Sequence, residues 1–229
     1  MAGITTEIIV TALLTGIIPT FLWLLFWLRE DRFQPEPRGL LALTSIAGAL
    51  SVFIVLPIES LIKHFGVEGT EKVFLFAAAE EIVKFGVVFL IDFNSSYLDE
   101  PIDYAIYLIT GAMGFATMEN VLFLLSPGLQ TDISFIVETG TLRFLGASIL
   151  HGILAATLGI IIGFVFYKNK ATRAVFILIG LIITIILHTL FNYFIIEYTE
   201  INGFLTLGIL WFITLIIITL FERVRRVNH

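Results

Sequence analysis

The sequence predicts an all-α, polytopic membrane protein of about seven transmembrane helices, and three observations carry that expectation. The 229 residues are 58% hydrophobic and only 14% charged, where a soluble domain carries roughly a quarter charged residues. The mean hydropathy is +1.01. Apolar runs of 19 to 26 residues alternate with short polar breaks along the whole chain, and about 20 apolar residues are enough to cross a bilayer as a helix.

The runs follow in order. The first covers 4–28; its leader MAGITTEIIV has no basic segment, and the run is too long for a cleaved signal, so it is expected to stay as a span. After REDRFQPEPRG comes 39–62, after KHFGVEGTEK 72–91, and after DFNSSYLDEP 102–125. SPGLQTDIS precedes 142–167, KNKATR precedes 174–197, and YTEING precedes 203–221. No break is long enough to fold as a soluble domain, so the chain reads as one transmembrane domain, 1–229. There is no cysteine, which removes disulfides, thiol nucleophiles and thiolate metal sites.

Lys and Arg set the expected orientation. Arg29, Arg32 and Arg38, then Lys168, Lys170 and Arg173, then Arg223, Arg225 and Arg226 all fall on one side if there are seven spans. That side is expected to be cytoplasmic, with the N-terminus outside and the C-terminus inside. The third break belongs to the same side yet is acidic (Asp92, Asp99, Glu100, Asp103); acids weigh little in the rule. The chain has no internal repeat, which disfavours transporters built from inverted halves. The bilayer is the expected surrounding, in a cell membrane, and no nucleic-acid partner is expected.

A few polar residues lie inside the runs: Glu80, Glu81 and Lys84, then Glu119 and Asn120, then His151, then His188 and Asn192. Ionisable groups inside a membrane are costly and mark function by default. At about 1.5 Å per helical residue, Glu80 lies about 12 Å, Glu119 about 9 Å, and His151 and His188 about 13 Å from the same side. Four runs therefore deliver polar groups to one layer. Glu80 and Lys84, at i and i+4, are placed to form an ion pair; His188 and Asn192 have the same spacing. Glu81 is turned about 100° from Glu80, so the two carboxylates need not share a task. Ala77–Ala79, Gly111, Ala112, Gly114, Gly146, Ala147 and Gly152 surround the cluster and permit close helix approach.

Such a set suits hydrolysis. A carboxylate takes a proton from water as it attacks a carbonyl, and imidazole or amide groups hold the oxyanion. No serine–histidine pair or aspartate dyad dominates. The plainer readings are that Glu80 and Glu81 merely fix helix contacts through Lys84, that each histidine is a satisfied buried polar group, that Asn120 bridges two helices, and that Arg143 snorkels to headgroups. Adjacent buried acids and two histidines at matched depth favour a site. Competing classes are a proton- or cation-coupled transporter, a retinal protein, which would want a lysine in 203–221 where there is none, and a scaffold, which leaves the matched depths unexplained.

Four blocks in order carry a resemblance: EEIVK (80–84), DEPIDYAIYLITGAMGFATMEN (99–120), RFLGASILHGILAATLG (143–159) and HTLFN (188–192). Together they resemble the PrsW family of intramembrane proteases, distantly related to the CAAX-processing and Abi proteases, over a core of about 72–197. The resemblance implies a glutamate-dependent endopeptidase that cuts membrane-anchored proteins near the outer bilayer surface; some members make the first cut in an anti-sigma factor. Glu80 would be the general base with Glu81 supporting it. His151, His188 and Asn192 would bind the water or the oxyanion, Glu119 and Asn120 would complete the pocket, and Lys84 and Arg143 would support it. The first expectation is catalysis without a cofactor. The alternative is zinc on His151, His188 and Glu80, since two histidines and a carboxylate form a catalytic zinc set.

Overall fold

The structure is a computed structural model that describes residues 5–30, 34–126, 133–197 and 202–226; Arg32, used above for orientation, lies outside them. The described residues form α-helices and no strand. They are α1 (Thr6–Glu30), α2 (Arg38–His64), α3 (Gly69–Ile91), α4 (Asp103–Leu124), α5 (Ile133–Arg143), α6 (Ile149–Gly163), α7 (Lys170–Glu197) and α8 (Asn202–Arg225). A π turn, Phe144–Ser148, joins α5 to α6 without a break.

Six of the resulting helices are long and apolar enough to cross a membrane: α1, α2, α4, the joined α5–α6, α7 and α8. The expected third span forms as α3, 23 residues long, but Glu80, Glu81 and Lys84 in its apolar stretch keep it out of that set. The fifth span begins at Ile133, well before 142. Thr139, Thr141 and the exposed Glu138 make this first part polar enough to read as a loop, yet Ile136 and Gly140 are buried on its inner face, and α5 packs on α1.

Helix α4 is the centre. It packs against α1, α2, α3 and α6 and is buried along nearly its whole length. Glycines make this possible. A methyl group on Gly48 of α2 would come within 2.1 Å of the Gly111 carbonyl oxygen, and one on Gly114 within 2.0 Å of the Ser45 carbonyl oxygen, so α2 and α4 touch backbone to backbone. The outer helices α1, α2, α7 and α8 turn most of their apolar side chains outward, as lipid-facing helices do.

The acidic third break is not simply solvated. Asp92 ends α3 and is fully buried, and the Thr44 hydroxyl of α2 donates to both its oxygens at 2.8 and 3.0 Å. Burial pushes its carboxyl up to about 6, the Thr44 bond working against that rise. Tyr107 donates to Glu36, and Asp103 Oδ2 accepts the backbone N–H of Asp99 and Glu100 at 2.9 and 2.6 Å. These bonds fasten the starts of α2 and α4 to the end of α3, at the end of the bundle away from the residues described next.

Candidate active site

Glu80, Glu81, Lys84, Glu119, Asn120, His151 and His188 meet between α3, α4, α6 and α7. Glu80, Glu81, Lys84, Asn120, His151 and His188 are buried, each at most 6% exposed. Glu119 has a side chain 30% exposed and forms the open edge of the cluster.

The contacts make a nearly continuous chain. Glu81 Oε1 accepts from Lys84 Nζ at 2.5 Å and from His188 Nδ1 at 2.7 Å. Lys84 Nζ also lies 2.9 Å from His151 Nδ1. His151 Nε2 lies 3.1 Å from Glu119 Oε2, which accepts from Arg143 Nη2 at 2.7 Å as well. Arg143 Nε donates to Asn120 Oδ1 at 2.6 Å, and Asn120 Nδ2 donates to Ser148 Oγ at 3.0 Å. Phe115 lies beneath Lys84, whose Nζ is 5.1 Å from the ring centre. The two imidazoles stand edge to face with centroids 5.4 Å apart.

These bonds assign the tautomers. An ammonium has only donors, so Lys84 donates to His151 Nδ1, and His151 Nε2 carries the hydrogen it gives to Glu119. A carboxylate only accepts, so His188 Nδ1 carries the hydrogen given to Glu81. His188 Nε2 then faces Glu80 Oε2 at 3.9 Å, too far for a hydrogen bond. Glu80 Oε2 is buried and has no hydrogen-bond partner. Such an atom is costly and rare, and a site that binds something there accounts for it.

Two expectations change. Lys84 pairs with Glu81 at i+3 rather than with Glu80 at i+4: both spacings share a face, and His188 from α7 draws Glu81 to that side. Glu80 is thereby left without the lysine, facing His188 at 3.9 Å. Among the described residues, the histidine and carboxylate atoms that converge well enough to hold a metal are those of Glu80, Glu119 and His151, all within 4.8 Å of one another. His188, expected in the zinc set, is instead engaged by Glu81. Asn192 is half-buried one turn beyond His188, and no hydrogen bond ties it to the cluster among the described residues. Arg143, expected either to support the site or to snorkel to headgroups, bonds Asn120 and Glu119 of the cluster. Ser148 and Phe115 were not foreseen; Ser148 lies three residues before His151 on a polar-poor helix, the one local signal for it.

Residues 36–220 match the family described as PrsW family intramembrane metalloprotease. The chain is 30% identical over 163 residues to the protease PrsW of Geobacillus kaustophilus (strain HTA426), covering 70% of this chain and 66% of that protein, a little less than two thirds of its length. It is 30% identical over 194 residues to the protease PrsW of Clostridioides difficile (strain 630), covering 81% and 79%. With the protease PrsW of Oceanobacillus iheyensis (strain DSM 14371 / CIP 107618 / JCM 11309 / KCTC 3954 / HTE831) it shares 26% over 223 residues, 93% and 94% of the two chains. No solved structure matches it.

Proposed function

Because the chain belongs to the PrsW family of intramembrane metalloproteases, multi-pass proteins of the cell membrane, we propose that it hydrolyses peptide bonds of membrane-anchored proteins near the outer bilayer surface, with Glu80 as general base. The observation that carries this reading is the buried, unpartnered Oε2 of Glu80 facing an imidazole. Water held by Glu80 and His188 loses a proton to Glu80 as its oxygen attacks the substrate carbonyl. The oxyanion is held by His151, whose Nε2–H is shared between Glu119 and the incoming oxygen, with Asn192 one turn from His188 available to a bound peptide. Glu80 returns its proton to the amide nitrogen as the C–N bond breaks. Glu81 fixes His188, Lys84 fixes His151, and Glu119 with Asn120 closes the pocket on its open side.

The orientation that suits this is N-terminus outside, C-terminus inside, with α3 as a seventh span and the core at about 72–197. The single-span anti-sigma factor suggested by the family resemblance is the candidate substrate.

A second reading is favoured by the convergence of Glu80, Glu119 and His151. Two carboxylates and an imidazole, one oxygen orphaned, fit a catalytic metal such as zinc. These three residues would hold it, and it would supply activated water and a polarised carbonyl. His188, held by Glu81, stays outside that set.

The test is reconstitution of the pure chain in liposomes with a single-pass substrate. Cleavage on the side of the Glu119 edge, with no ion or proton uptake, is expected. Uptake without cleavage would overturn the reading in favour of a transporter. Loss of cleavage on chelation, restored by zinc, selects the metal reading; indifference to chelation selects glutamate alone.

A further inference from the structure

Arg143, Ser148 and His151 reach the site from one helix, and that helix is not α throughout: Phe144–Ser148 is a π turn. Along an α-helix each residue turns about 100°. Five residues after Arg143, Ser148 would therefore sit about 140° away around the axis, and His151, eight residues on, about 80° away. The side chains do not behave so. Arg143 Nε and Ser148 Oγ hold the two ends of one Asn120 amide, at 2.6 and 3.0 Å. Arg143 Nη2 and His151 Nε2 meet on the same Glu119 oxygen, at 2.7 and 3.1 Å. The i→i+5 closure of a π turn takes up one extra residue, so five residues make about one turn and eight about two. Both pairings then fall on one face.

We propose that the π turn Phe144–Ser148 is the register device that brings Arg143 into the site, where Arg143, seated on the Asn120 amide that Ser148 holds at its other end, is the positioning residue that fixes the Glu119 carboxylate. Glu119 needs such a clamp, being the most exposed member of the cluster. The guanidinium is held from below as well, 4.3 Å from the Phe123 ring centre. The catalytic consequence rests on the function proposed above; the register does not.

Deletion and insertion separate register from packing. Deleting Ala147 lets the segment become a plain α-helix with the arginine four residues before the serine and seven before the histidine, about 40° and 20° apart. Inserting one alanine after Ala147 makes those spacings six and nine and turns the arginine away. The deletion is expected to keep cleavage within about 5-fold of wild type and the insertion to lose at least about 100-fold; equal losses would overturn the proposal. An activity-independent readout runs alongside. The melting-temperature shifts of Arg143→Ala and Glu119→Gln are expected to be non-additive in the wild-type and deletion backgrounds and additive in the insertion. Additivity in the wild type overturns the proposal, whereas coupling in a wild type that does not cleave counts against the protease reading alone. Should the insertion not fold, Arg143→Ala decides: a fall in kcat with KM near wild type, recovered by guanidinium in the buffer, supports the positioning role, and full activity or no recovery refutes it.

Discussion

Glu80→Gln abolishes cleavage, by at least about 100-fold in kcat, and leaves the protein as stable as wild type or more so. The glutamine keeps the shape of the side chain and removes the proton acceptor. The charge makes no hydrogen bond through Oε2, and the ion pair with His188 Nε2 is long at 3.9 Å, so little of the fold depends on it. A buried carboxylate oxygen with no hydrogen bond costs free energy that a neutral amide reduces. Turnover of a tethered peptide and a thermal melt in the same detergent check both halves. A variant that cleaves within a few-fold of wild type removes Glu80 from the chemistry.

Glu81→Gln behaves in the opposite way on stability. Its Oε1 accepts from Lys84 and from His188, so the amide leaves a buried ammonium without its counter-ion. Breaking one partner of a buried pair costs about 3–5 kcal/mol, so the melting temperature falls markedly. Activity falls with it, because His188 exchanges the carboxylate that sets its tautomer for a neutral amide oxygen that Lys84 competes for. Removing both charges, with Glu81→Gln and Lys84→Met together, is expected to recover much of the stability and none of the activity. If the single variant melts like wild type, the Lys84–Glu81 pair does not bear on the fold as described. The two neighbouring glutamates thus separate into one that reacts and one that holds.

Much of this was legible in the sequence, for a physical reason. Hydrophobic length alone marks a membrane helix, and a charge inside such a run is expensive enough to be informative. That is why Glu80, Glu81, Glu119, His151 and His188 could be gathered before any coordinates. What the sequence withholds is set by tertiary contacts. Both glutamates were within reach of Lys84, and His188, more than a hundred residues later, draws Glu81 into the pair. Arg143 read as a span-entrance cation because its partners Glu119 and Asn120 lie on another helix. Phe144–Ser148 has no local mark of a π turn, since its backbone register answers to Asn120 and Glu119 rather than to propensity. The early start of α5 was hidden by Glu138 and the threonines around it. Asp92 and Asp103 read as part of an acidic break, because the hydroxyl that satisfies Asp92 belongs to Thr44, far back in α2.

The central claim is that groups from separate helices act as one chemical unit, and a kinetic double-mutant cycle between α3 and α6 tests it most directly. Turnover is measured for Glu80→Gln, His151→Ala and the pair combined. Residues that act together lose their effects together, so the double variant is expected to be no slower than the worse single variant within about 3-fold. Losses that multiply, as they do for independent sites, would contradict the account.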